Sequence, residues 1–73
     1  MTNVINAKCE NEHEILIPTH EIMAGRNEVR LPDGNTVYIS GAYFENWSVK
    51  QVGFKFYVVM PKSLFDAMLE EAA

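Results

Sequence analysis

Cys9, His13 and His20 are the side chains whose chemistry suits a metal site or a nucleophile with its base. With a neighbouring glutamate they would offer sulfur, nitrogen and oxygen ligands. Their spacing matches no structural zinc pattern, and a fourth ligand would have to be borrowed. A Cys–His nucleophile pair needs an oxyanion site and a substrate cleft, and no stretch of the sequence suggests either. The expectation is a partly buried thiol and two polar histidines in loops or turns, with no metal, cofactor or catalytic residue. Glu10, Glu12 and Glu14 make the next pattern. Two residues apart, they share one face if the segment is extended. Such a strip either keeps a strand edge from pairing or attracts the basic groups of a partner.

Composition narrows the classes. A chain of 73 residues is read as one domain, residues 1–73, burying roughly 60% of its unfolded surface. With 48% hydrophobic residues it can build one core and is not expected to be disordered. No apolar run approaches the ~20 residues of a membrane span. The N-terminus does not read as a signal peptide, and one cysteine cannot form an internal disulfide. A reduced, cytoplasmic protein is the expectation. Ten acidic residues against six basic ones give a net charge of −4. That balance disfavours general nucleic-acid binding, which draws on Lys and Arg at phosphates. It suits docking onto a basic patch of another protein.

The elements follow from turn residues and alternation. Val4 to Lys8 reads as a first strand and Ile15-Leu16-Ile17 as a second, a possible hairpin closed by Pro18. Thr19 is expected to start a short helical turn reaching Ala24, with Gly25 as its left-handed stop. Glu28 to Leu31 and Thr36 to Ser40 flank Pro32-Asp33-Gly34-Asn35, the clearest hairpin in the chain. Val29, Leu31, Val37 and Ile39 are then core, with Arg30 and Tyr38 facing away. From Ala42 to Met60 two aromatic and β-branched runs meet at Gly53, which predicts a second hairpin. In its first run Tyr43, Glu45, Trp47 and Val49 are expected to face the core, with Tyr43 or Trp47 partly exposed. In its second, Phe54, Phe56, Val58 and Met60 share one face and Tyr57 and Val59 the other, with partial cover on both. Pro61 ends the run. A helix begins around Ser63 and Asp66 in a capping-box-like pattern. Leu64, Phe65, Met68, Leu69 and Ala72 line its apolar face.

The segment Gly53-Phe54-Lys55-Phe56-Tyr57-Val58 is similar in part to the glycine-aromatic strand on which RNA-recognition and cold-shock domains stack bases. It differs at Val52, where a basic residue is expected, and at Lys55, where a small one is. The order of elements also lacks an early long helix. Alternating aromatics in a strand more often serve a core.

Taken whole, from Met1-Thr2-Asn3-Val4-Ile5-Asn6 to Leu69-Glu70-Glu71-Ala72-Ala73, the chain resembles the small phage-encoded regulators that bind host RNA polymerase. Its length, mild acidity, lone cysteine and compact antiparallel plan carry the resemblance. It implies a non-catalytic inhibitor of initiation that also promotes antitermination in the host bacterial cytoplasm. It implies contacts with the N-terminal region of β′ and with the β flap, displacing sigma from promoter recognition. No motif anchors a residue, so none is carried over. The partner-binding residues are read from the chain itself. Val4, Ile5 and Lys8 belong to an edge strand that could accept a partner's strand, and Glu10, Glu12 and Glu14 lie just beyond. The expected fold is α+β: an antiparallel sheet of five or six short strands, a short helical turn and a C-terminal helix on one face. A small single-stranded RNA-binding domain and an inhibitor of another host or defence protein are the alternative functions.

Overall fold

Alternation on either side of Pro32-Asp33-Gly34-Asn35 builds the first pair of strands, and five further strands complete two sheets. The computed structural model describes residues 2–72. In chain order the elements are β1 (Asn3–Asn6), β2 (Lys8–Cys9), β3 (Glu14–Pro18), β4 (Arg26–Arg30), β5 (Thr36–Ser40), β6 (Val49–Val52), β7 (Lys55–Pro61) and α1 (Lys62–Ala72). Two 3-10 helices, Thr19–Glu21 and Gly41–Asn46, join them. The class is α+β.

The β4–β5 hairpin is as its turn dictates. Leu31 N–H donates to the Asn35 carbonyl and Gly34 N–H to the Leu31 carbonyl, each at 2.9 Å. Asn35 N–H donates to Asp33 Oδ1 at 2.8 Å. Gly34 sits at φ +95°, a conformation that a Cβ resists. Val29, Leu31, Val37 and Ile39 are buried, while Arg30 and Tyr38 are exposed. Gly34→Val is therefore expected to destabilise the protein by about 1–2 kcal/mol. Urea denaturation checks this, and an unchanged midpoint would contradict the turn's role.

The sheets are arranged differently from the expectation. One has the order β1-β4-β5 and the other β2-β3-β7-β6. β1 runs parallel to β4, while every other pairing is antiparallel. The single strand expected over Val4 to Lys8 is thus two strands in two sheets. The break falls at Ala7, which is buried and whose N–H donates to the Arg30 carbonyl at 2.8 Å. Its small side chain lets the backbone cross the core from sheet to sheet. The β2–β3 hairpin then serves as the crossover that a parallel pair such as β1–β4 requires.

Both sheets turn one face to a common core. Ile5, Ala7, Val29, Val37 and Ile39 meet Ile15, Ile17, Val58 and Met60, and Phe44 and Phe65 join them. α1 packs against β5 and β7. Its apolar face is Phe65, Met68 and Leu69, whereas Leu64 stands at the surface; the Ala72 side chain lies outside the described residues. The helix begins at Lys62, one residue before the expected Ser63 start, and the Lys62 N–H donates to the His13 carbonyl at 2.8 Å. Lys62 Nζ reaches Asp66 Oδ1 at 2.6 Å along the first turn, which raises the Lys62 pKa through that hydrogen bond.

The segment from Ala42 to Asn46 is not a strand. It forms the second 3-10 helix, and Trp47 N–H donates to the Phe44 carbonyl at 3.3 Å. Three-residue spacing puts Phe44 and Trp47 edge to face, with centroids 5.3 Å apart. Trp47 packs against the core as expected, but Phe44 is buried and Val49 exposed, contrary to the expected alternation; Tyr43 is exposed. The first 3-10 helix is also shorter than foreseen and stops at Glu21. The Thr19 hydroxyl does not cap it; it donates to the Phe56 carbonyl at 3.1 Å. Gly25 does adopt a positive φ, +88°.

Candidate partner-binding site

The N-terminal residues expected to form one docking strip are divided among three places. Val4 is exposed on β1, but Ile5 is fully buried in the core and cannot present its side chain to a partner. Lys8 lies in the other sheet, its Nζ 4.7 Å from the centroid of the Tyr57 ring. Glu10 and Glu14 face each other across a tight loop, since Glu10 N–H donates to the Glu14 carbonyl at 3.0 Å. Asn11 Oδ1 accepts from His13 N–H and Glu14 N–H, which bends the segment and leaves Glu12 in the bend. The three carboxylates therefore do not share the face of an extended strand.

Glu10 makes an ion pair across the sheet. Its Oε1 accepts from Lys50 Nζ at 3.0 Å. Lys50 belongs to β6, at the opposite edge of the sheet from β2, so the pair runs across β7 and β3. Leu16, opposite Lys8 in the β2–β3 register, is fully buried yet outside the main core cluster. The aliphatic stem of Lys50 and the stem of Lys8 over Tyr57 thus cover an apolar strip on the outer face. The hydrogen bond and charge of Glu10, with the charge of Glu14 adding, raise the Lys50 pKa. A raised lysine pKa contributes stability below its unfolded value and loses it as pH rises through the folded one. The strap is therefore intact at neutral pH, and Lys50 releases it in alkali.

A different surface is concave and apolar. Tyr38, Ile39, Tyr43, Trp47, Leu64 and Met68 line a cavity of about 430 Å³ whose surface is mainly apolar. A second of about 260 Å³, lined by Val37, Tyr38, Met68 and Glu71, adjoins it through Tyr38 and Met68. Leu64, Met68 and Glu71 fall four and three residues apart, one face of α1. The two cavities form a trough between α1 and β5, with Tyr43 and Trp47 at one end and Glu71 at the other. Tyr38, Tyr43 and Leu64 are all exposed there. The Arg26 guanidinium lies 4.0 Å from the centroid of the Tyr38 ring and braces it. Aromatic residues and methionine at a concave surface are the residue types enriched at protein interfaces.

Protein-family models, curated proteins and solved structures were all compared with the chain, and none matches.

A second exposed apolar feature is the β6–β7 hairpin. Phe54 is completely exposed in its two-residue turn, and Phe56 is half exposed on β7. The face expected to hold Phe54, Phe56, Val58 and Met60 is thus exposed at its first two residues. Val58 and Met60 further along are buried, and Tyr57 is buried on the opposite face, so the strand is covered on both sides over part of its length.

Cys9 is an exposed free thiol on β2, and His13 and His20 are exposed in the β2–β3 loop and the first 3-10 helix. Among the described residues no group of three His, Cys, Asp or Glu side chains is placed to hold a metal. Among the described residues no helix is long and apolar enough to cross a membrane.

The trough was missed in the sequence because its residues come from three separate stretches. Two signals pointed to it. Tyr38 faces away from the core in the hairpin pattern, and no β-branched residue occurs from Gly41 to Asn46, which argues against a strand there.

Proposed function

We propose that this protein is a non-catalytic regulator that docks on host bacterial RNA polymerase in the host cytoplasm. It inhibits initiation by interfering with sigma-dependent promoter recognition and promotes antitermination. The observation that carries the docking role is the trough of Tyr38, Tyr43, Trp47, Leu64 and Met68, an apolar site on a chain of net charge −4. The choice of polymerase rests on the whole-chain resemblance to phage regulators, with the β′ N-terminal region and the β flap as the contacts it implies. In transcription with purified polymerase, saturating protein is expected to suppress a sigma-dependent promoter and to raise readthrough of a terminator. No change in either would remove the polymerase reading, and capture of a different host or defence protein would replace it.

Exposed Phe54 and Phe56, with Lys55 between them, support a second reading as a single-stranded RNA-binding domain. Bases stacked on such rings contribute roughly 1–3 kcal/mol each. Salt separates the two readings. RNA affinity falls steeply with ionic strength, and Phe54→Ala would weaken it. Docking through the trough depends less on salt and is indifferent to Phe54.

A further inference from the structure

The β4–β5 ladder fixes which backbone groups of β5 are free. Leu31 N–H donates to the Asn35 carbonyl, and Gly41 N–H donates to the Gly25 carbonyl. In the register Arg26↔Ser40 to Arg30↔Thr36, these bonds place the hydrogen-bonded pairs at Val29–Val37 and Asn27–Ile39. Thr36, Tyr38 and Ser40 consequently turn N–H and C=O away from β4. The matching residues of β4 obey the same rule, since the Arg30 carbonyl accepts from Ala7 N–H on the β1 side. On β4 those outward groups serve β1. On β5, the last strand of its sheet, no strand takes them among the described residues. Thr36-Val37-Tyr38-Ile39-Ser40 also lacks the lysine, proline or bulge that usually protects an open edge.

Both cavities of the trough are lined by two successive β5 residues, Val37 with Tyr38 and Tyr38 with Ile39. Successive strand residues face opposite sides, so a cavity touching both straddles the strand's edge. The free backbone groups and the trough are one site.

Resting on the docking role proposed above, we propose that the trough takes an extended segment of the partner, added to β5 as a further strand. Residues of that segment opposite Val37 and Ile39 point their side chains towards α1. They lie two positions apart, as the two cavities do. The larger takes an apolar or aromatic side chain against Trp47, Leu64 and Met68. The smaller, with the Glu71 carboxylate on its wall, takes lysine or arginine. The nearby Arg26 is engaged with the Tyr38 ring, and Glu70 adds a second negative charge beside Glu71 on α1. The partner sequence is thus an extended stretch with an apolar and a basic residue in alternate positions. Backbone pairing supplies affinity, and the two cavities supply selectivity.

The test pans a library of random displayed peptides on the isolated protein and, separately, on a Leu64→Glu variant. Peptides with an apolar and a basic residue two positions apart should be enriched on the wild type and not on the variant. Binding should slow exchange of the Tyr38 and Ser40 amides by about tenfold or more, with little change at Val37 and Ile39, whose amides already serve the ladder. Methylating the peptide nitrogen that pairs with Tyr38 should lower affinity about tenfold. Ser40→Pro, which removes an outward N–H at a residue that lines neither cavity and whose φ of −69° suits proline, should do the same while retaining the fold. Should that variant unfold, the methylated peptide still decides. No enrichment, equal enrichment on Leu64→Glu, or protection confined to β1 or β6 would overturn strand addition. Polymerase capture without any enriched peptide overturns strand addition and leaves the docking role standing. Enriched peptides without polymerase capture overturn only the choice of partner.

Discussion

Phe65→Ala is expected to cost about 3–5 kcal/mol, the range for truncating a fully buried aromatic side chain. Phe65 has no exposed surface and joins the cluster that holds the two sheets and α1 together. Domains of ordinary size have only about 5–15 kcal/mol in total, and a 73-residue chain belongs towards the lower end. The variant should therefore be largely unfolded, or melt far below the wild type. Leu64→Ala, one residue earlier and at the surface, should cost under about 1 kcal/mol and serves as the control. Circular dichroism during thermal and urea unfolding measures both. Equal midpoints for the two variants would mean that α1 does not seal the core.

Asn27→Leu is the second large effect, and it works through polar satisfaction. Asn27 is the fully buried polar residue of the core. Its Oδ1 accepts from Met23 N–H at 3.1 Å and from Asn3 Nδ2 at 2.9 Å. Its Nδ2 donates to the Met23 carbonyl at 2.9 Å and approaches the Ile39 carbonyl at 3.3 Å. One side chain thus ties the segment before β4 to β1 and β5. Gly41 completes the arrangement, because its N–H donates to the Gly25 carbonyl at 2.8 Å and a Cβ there would collide with the Met23 carbonyl. Leucine is close in size but leaves the Met23 amide and carbonyl without partners. Met23 is exposed, so water replaces part of what each bond supplied, and the loss of the two bonds is expected to cost about 1–3 kcal/mol in total. Hydrogen exchange at the Met23 amide should rise together with the fall in global stability. Wild-type stability in the Leu variant would show that this network contributes nothing.

What the sequence made legible was local. The Pro32-Asp33-Gly34-Asn35 turn, the break at Gly53, the stop at Pro61 and the face of α1 that holds Phe65 and Met68 are set by residues near one another in the chain. What it hid was long-range. The alternation of Val4 to Lys8 says nothing of a crossing at Ala7, because a strand looks the same whichever sheet receives it. Tyr43 to Val49 alternates plausibly as a strand, yet the Phe44–Trp47 contact belongs to a three-residue period. The exposure of Phe54 and Phe56 follows from where the core ends along β7, which no local pattern records. Glu10, Glu12 and Glu14 show the same limit: their spacing implied one face, and Asn11 bent the chain between them. Asn27 reads as an ordinary polar strand residue until β1, β5 and the Met23 segment are brought around it.

Equilibrium binding of purified bacterial RNA polymerase to the immobilised wild-type protein and to Leu64→Glu tests the central claim most directly. Leu64 stands at the mouth of the trough and partly exposed, so the charge should leave the melting temperature close to that of the wild type. Saturable binding of the polymerase to the wild type is expected, with affinity at least about tenfold lower for the variant. Equal affinity for both proteins would place the interface elsewhere, and no binding to the wild type would contradict the polymerase reading itself.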